Sequence, residues 1–139
     1  MFRREIGALI DERGFIWDII VGDSTNLLYP DQKIWGMSKF AQKIILAHTH
    51  PPYISNMSGE DRSTLLAWSY ALPNRVEMQI ICKVNNRIVV RRNRFVIEPL
   101  ESWIKRGKKR ERKIKLKTQQ CFRIWKKPWV DRLVELSYL

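Results

Sequence analysis

Apolar and polar positions follow a strand-like pattern over several short runs of this chain, and a helix-like pattern over one longer stretch. Residues 5–10 and 15–21 are rich in β-branched and aromatic side chains, and Asp11-Glu12-Arg13-Gly14 between them is a glycine-containing turn, so a hairpin is expected. Gly22-Asp23-Ser24 closes the second strand. Pro30-Asp31 marks a turn or helix start and Gly36 a break, with a short helix expected around residues 39–42. Residues 43–50 read as a buried strand whose polar side chains gather at its C-terminal end, where Pro51-Pro52 stops it. Ser58 opens a helix that runs to about Leu72, and Pro73 ends it. Residues 76–84 and 87–92 then form an antiparallel pair across Asn85-Asn86, because Asn tolerates the left-handed conformation of a tight turn. Residues 95–97 add a short further strand. The order of elements predicts an α/β (α+β) domain, a mixed β-sheet flanked by helices.

The composition changes after Pro99. The 139 residues carry a net charge of +12, yet from Glu101 onward 13 Lys and Arg stand against 4 acids, a net of +9, which leaves +3 for residues 1–100. The expected organisation is a domain over residues 1–100 and a basic C-terminal extension over residues 101–139, a cationic linker followed by a short helix. Lys105, Arg106, Lys108, Lys109, Arg110, Arg112, Lys113, Lys115 and Lys117 make up the dense part. Such a block is either a solvated tail or a set of phosphate contacts, and the second reading brings nucleic acid or the ribosome in as a partner. Trp125 and Trp129, four apart among apolar neighbours, would share one helical face and pack on the domain. Trp17, Trp35 and Trp68 are expected in or near the core.

Hydrophobic residues make up 45% of the chain, enough to bury a real core. Cys82 and Cys121 lie too far apart for a Cys-x-x-Cys pair and read as reduced thiols, which points to a cytoplasmic protein. No apolar run approaches the roughly 20 residues of a membrane span, and the N-terminus lacks the apolar core of a secretion signal. No membrane partner is expected.

The candidate chemistry lies in His48-Thr49-His50 and in Ser58-Gly59-Glu60-Asp61. Imidazoles two residues apart on a strand point to one face. A carboxylate a short loop later can join them, and two His with one Asp leave a tetrahedral zinc an open position for water. Each part also has an ordinary structural reading. A histidine can sit in or around a core without a metal, and Ser-x-x-Asp ahead of an apolar run is a helix-capping pattern. Both roles are compatible, since Ser58 as N-cap puts Asp61 in the first helical turn.

Taken together, the residues form His48-x-His50-x7-Ser58-x-x-Asp61 without a gap. This resembles the signature of the JAMM (MPN+) zinc metalloproteases, over roughly residues 5–98. The resemblance implies a JAMM/cytidine-deaminase-like fold. It also implies Zn²⁺ held by His48, His50 and Asp61, and cleavage of a peptide or isopeptide bond in a protein or peptide substrate, a ubiquitin-like conjugate among the candidates. It identifies Glu5, ahead of Ile6-Gly7-Ala8-Leu9-Ile10, with the family's early catalytic glutamate, as general base and then general acid; Glu12 is the weaker candidate. Ser58 would donate to the developing oxyanion. The N-terminal half is also similar to the N-terminal extension of some HflX-type ribosome-associated GTPases, although the GTPase phosphate loop is absent from the sequence. That second resemblance implies a non-catalytic ribosome- or RNA-binding module.

Overall fold

The structure is a computed structural model, and it describes residues 1–98, 114–122 and 127–139. In chain order the elements are β1 (Ile6–Asp11), β2 (Ile16–Val21), α1 (Asp31–Ser38), β3 (Lys43–Thr49), α2 (Gly59–Ala71), β4 (Arg75–Val84), β5 (Arg87–Ile97), β6 (Ile114–Phe122) and α3 (Pro128–Tyr138). The six strands form one mixed sheet in the order β2-β1-β3-β4-β5-β6. The β3–β4 pair is parallel, and α2 makes the crossover that parallel neighbours require. The other neighbouring pairs are antiparallel. The architecture is therefore α+β, a six-stranded mixed sheet with three helices among the described residues.

Alternation along the strands divides the core in two. Leu9, Ile44, Leu46, Met78 and Ile80 face α1 and α2 and pack against Ile34, Met37 and Leu65. Ala8, Ile10, Ile45, Ala47 and Ile81 face the other way and pack against Trp129, Val130 and Leu133 of α3. Because β1 and β3 are central, they are buried on both sides, which is why both read as nearly continuous apolar runs.

The first hairpin is held by Asp11, which is buried to within 1% of its surface. Its Oδ1 accepts the Arg13 and Phe15 backbone N–H groups, and its Oδ2 accepts Trp17 Nε1–H and the Arg13 guanidinium. Asn85 and Asn86, at φ 52° and 62°, make the expected two-residue turn between β4 and β5.

Five local expectations need correction. The helix expected around residues 39–42 lies instead at Asp31–Ser38, where Pro30 stands at the N-cap and Ile34 and Met37, three apart, bury one face. Gly36 sits inside it and does not break it. β5 runs unbroken through Asn93, because that buried side chain is satisfied within the sheet: its Nδ2 donates to Met78 O and Arg91 O, and its Oδ1 accepts from Thr118. Residues 114–122, expected within a basic linker and the start of a helix, form β6 in register with β5 from Ile97↔Ile114 to Val89↔Phe122. Trp35 is half exposed, edge-on against Trp68, rather than in the core.

The expected C-terminal helix is present as α3 and packs on the sheet through buried Trp129. Lys105, Arg106, Lys108, Lys109, Arg110, Arg112, Lys113 and Trp125 lie outside the described residues. Among those described, no helix is long and apolar enough to cross a membrane.

Candidate metal centre

His48 and His50 leave the end of β3 on the face that α2 covers, with Thr49 between them turned to the other face. Register explains how Glu5 reaches them. β1 and β3 pair as Gly7↔His48, so two further residues along the antiparallel ladder set Glu5 across from His50. The Glu5 backbone is fixed there by its N–H donating to Asp23 O at 2.7 Å and by its carbonyl accepting from Gly22 N–H at 2.8 Å. Gly7, opposite His48, has no side chain, and a Cβ there would meet Leu27 Cδ1 at 2.9 Å. The same Cβ would lie 3.0 Å from the Ala47 carbonyl oxygen, a backbone atom of the paired strand, so the position is tight for any side chain.

α2 brings the fourth group. Ser58 is its N-cap, accepting Asp61 N–H on Oγ, while Asp61 Oδ2 accepts Ser58 N–H in return. This reciprocal cap holds Asp61 in the first turn, where the positive end of the helix dipole favours a carboxylate. The same carboxylate meets both imidazoles: Oδ1 lies 3.2 Å from His48 Nε2 and Oδ2 lies 3.1 Å from His50 Nε2. The two Nε2 atoms are 3.0 Å apart. Glu5 Oε1 stands 3.6 Å from His50 Nε2 and 3.9 Å from His48 Nε2, too far for hydrogen bonds.

The outer partners set the ring tautomers. His50 Nδ1 lies 3.2 Å from the Ile54 carbonyl, which can only accept, so Nδ1 carries the hydrogen. His48 Nδ1 lies 2.8 Å from Tyr29 Oη, and that hydroxyl gives its own proton to Ala47 O at 2.9 Å. Tyr29 therefore accepts from His48 Nδ1–H. Both Nε2 atoms then present lone pairs to each other and to a carboxylate. Acceptors gathered at 3.0–3.2 Å need a positive charge among them, either protons or a metal ion. Imidazoles held by Nδ1–H bonds with Nε2 directed inward have the outer shell typical of metal ligands.

Burial pushes the His48 pKa down and so disfavours its cationic form, despite the attraction of Asp61. Burial alone would raise the Asp61 carboxyl, but protons on the facing Nε2 atoms of His48 and His50, where present, and the Ser58 amide hold it well below the usual carboxylate range. Glu5 behaves oppositely. Burial pushes it up to about 7, with His50 opposing and Asp61, Asp23 and Glu60 adding to the rise. Burial, then the charges of Asp61 and Glu5, also raises the Tyr29 phenol and keeps it protonated. The buried group Glu5, His48 and His50 places one ligand atom from each within 4.8 Å of the others and could hold a metal ion.

The structure thus brings Glu5, His48, His50, Ser58 and Asp61 together, and Glu5, His50, Ser58 and Asp61 line one cleft of about 700 Å³, with His48 buried behind them. Glu12 is elsewhere: exposed on the first turn, its carboxylate accepts the Gln42 and Lys43 N–H groups at the start of β3. Sequence reasoning missed Tyr29, whose only local signal is an aromatic hydroxyl beside Pro30. It also missed Thr49 as an anchor. Thr49 Oγ1 accepts Ile6 N–H and shares a 2.5 Å hydrogen bond with Ser137 Oγ of α3, which fixes the strand between its two histidines.

No protein-family model, curated protein or solved structure matches this chain.

Proposed function

We propose that this protein is a JAMM-type zinc hydrolase that cleaves a peptide or isopeptide bond. The observation that carries the reading is the convergence of His48, His50 and Asp61 within 3.0–3.2 Å, with Glu5 just outside that set. Two imidazoles and one carboxylate, with a coordination position left open, are the ligand set of a catalytic zinc. His48, His50 and Asp61 would hold the ion, and Glu5 would remain a base. Zinc, when bound, polarises a carbonyl and lowers the pKa of water to about 7.

Glu5 takes the proton from the attacking water and returns it to the leaving amine. In the metal-free site burial pushes this carboxyl up to about 7, and the charge of a bound zinc would favour its ionised, proton-accepting form. Ser58 lines the cleft; its bond from Asp61 N–H uses the oxygen as acceptor and leaves the hydroxyl hydrogen for a developing oxyanion. Tyr29 holds the His48 ring. Leu27, Leu28 and Ile54 give the cleft apolar walls suited to a peptide segment. The substrate class is a protein or peptide, and a ubiquitin-like conjugate fits it.

Purified protein should carry one zinc per chain by elemental analysis. Glu5→Gln should keep that zinc and lower cleavage of a quenched fluorescent peptide or conjugate panel by ~10²–10⁴-fold. His50→Ala should lose both. Full activity in Glu5→Gln would remove Glu5 from its role, and a chain that takes up no zinc on reconstitution would end the proposal.

A further inference from the structure

The far end of the sheet carries a second site. α3 covers only part of its face. Beyond it, Lys43 of β3, Arg75 and Glu77 of β4, Arg92 and Arg94 of β5 and Lys117 of β6 line a cavity of about 350 Å³. Register places them on one face: Lys43 pairs with Arg75, Arg94 with Lys117, and Arg92 with Gln119. Five cations against one carboxylate give these groups a net charge of +4.

The carboxylate is committed. Glu77 is buried, and it accepts Arg92 Nη2–H at 2.8 Å, Arg92 Nε–H at 3.1 Å and Gln79 Nε2–H at 2.7 Å, with Lys43 Nζ at 3.5 Å. It orients Arg92 and Lys43, and cations still outnumber carboxylates among the residues that line the cavity. Burial lowers the Lys43 pKa, Glu77 opposes the fall, and Arg92 and Arg75 add to it.

We propose that this cavity binds the phosphodiester backbone of a nucleic acid. Spacing separates that ligand from a small anion. Lys43 and Lys117 lie on strands three positions apart, about 14 Å at the usual strand separation. One phosphate cannot span such a distance, whereas successive phosphates of a strand can. No aromatic residue lines the cavity, so the contact is with backbone charge rather than with stacked bases. The inference is independent of hydrolysis: Lys43 and His50 are seven residues apart along β3, about 20 Å.

The test is fluorescence anisotropy of full-length protein with a labelled 20-nucleotide RNA and a 20-base-pair DNA duplex, from 50 to 300 mM salt. The double variant Arg94→Gln/Lys117→Gln should bind at least ~10-fold more weakly at low salt, with the slope of log K against log salt reduced by about 2. Arg75→Gln alone should reduce the slope by about 1. The control Lys33→Gln/Lys39→Gln removes the same charge from exposed positions on and beside α1 and should stay within about twofold. Thermal melts confirm that each variant is folded. Equal losses in the two double variants would overturn the site, as would unchanged affinity in Arg94→Gln/Lys117→Gln. Competition by inorganic pyrophosphate as effective as that by unlabelled polymer, at equal phosphate concentration, would overturn the nucleic acid as ligand.

Discussion

Glu5 and Asp61 stand against the same pair of imidazoles, and their surroundings drive them apart. Asp61 is fed by a helix N-terminus and by both rings, so it stays ionised; Glu5 is buried beyond hydrogen-bonding reach of either ring, so it holds its proton up to about 7. Two carboxylates with separated pKa values are the usual mark of divided labour, one as ligand and one as base. The histidine rings depend in turn on their outer partners. Tyr29→Phe removes the acceptor for His48 Nδ1–H and keeps the ring volume, so the fold should persist. Zinc affinity, measured by competition with a chromogenic chelator, should fall ~10–100-fold; an unchanged affinity would mean that Tyr29 does not orient the ring. At this scale the sequence was informative where spacing suffices. His48 and His50 share a face because strand side chains alternate, and Ser58-x-x-Asp61 opens a helix because it caps one. Tyr29 was not legible, because 19 residues separate it from its partner and only the fold brings them together.

Elements were legible where their period was clean. β1, β3 and α2 matched their apolar patterns to within a residue or two. β6 was obscured by charge. Ile114, Leu116 and Thr118 alternate with Lys115, Lys117 and Gln119, which is a strand period, but the lysines belong to a longer cationic run and read as linker. The positive charge on that strand is one-faced, not a sign of disorder. The first hairpin offers a test of how strongly a turn can depend on one buried acid. Burial alone would raise the Asp11 carboxyl; the Arg13 and Trp17 side chains and the Phe15 and Arg13 amides outweigh it and lower its pKa. A folded value below the unfolded one gives stability that is complete above the unfolded pKa of about 3.9 and disappears as pH falls through the folded pKa. Asp11→Asn should therefore lower stability in urea by about 1–3 kcal/mol at pH 7, since it turns an amide N–H toward donors. The gap between variant and wild type should close below about pH 3. A gap independent of pH would mean that the charge of Asp11 contributes nothing.

Across the whole molecule, one sheet separates two kinds of charge. The C-terminal end of β3 gathers Glu5, His48 and His50, which could hold a metal ion, and the opposite end gathers five cations around the single carboxylate of Glu77. Gathering like groups costs free energy in the folded chain, and a ligand of opposite sign bound at either end would offset it. Serine and threonine tie the first end to the C-terminal helix through Thr49 and Ser137, so residues beyond 127 take part in holding the strand that bears both histidines. Through that tie, metal binding at this end would stabilise the whole fold. With free zinc at 100 times its dissociation constant, the fold should gain about 2.7 kcal/mol, which for 139 residues is a rise of about 9 °C in Tm. His48→Ala should abolish the rise, and chelation should reverse it in the wild type. Because the two ends lie about 20 Å apart with no shared partner, their effects should add. Arg94→Gln/Lys117→Gln should therefore show the same zinc-dependent rise as the wild type, within error, in differential scanning calorimetry. A smaller rise in that variant would mean that the sheet transmits strain between its ends. Equal rises would mean that it carries the two sites as a rigid spacer, with the metal chemistry free of whatever anion the far end holds.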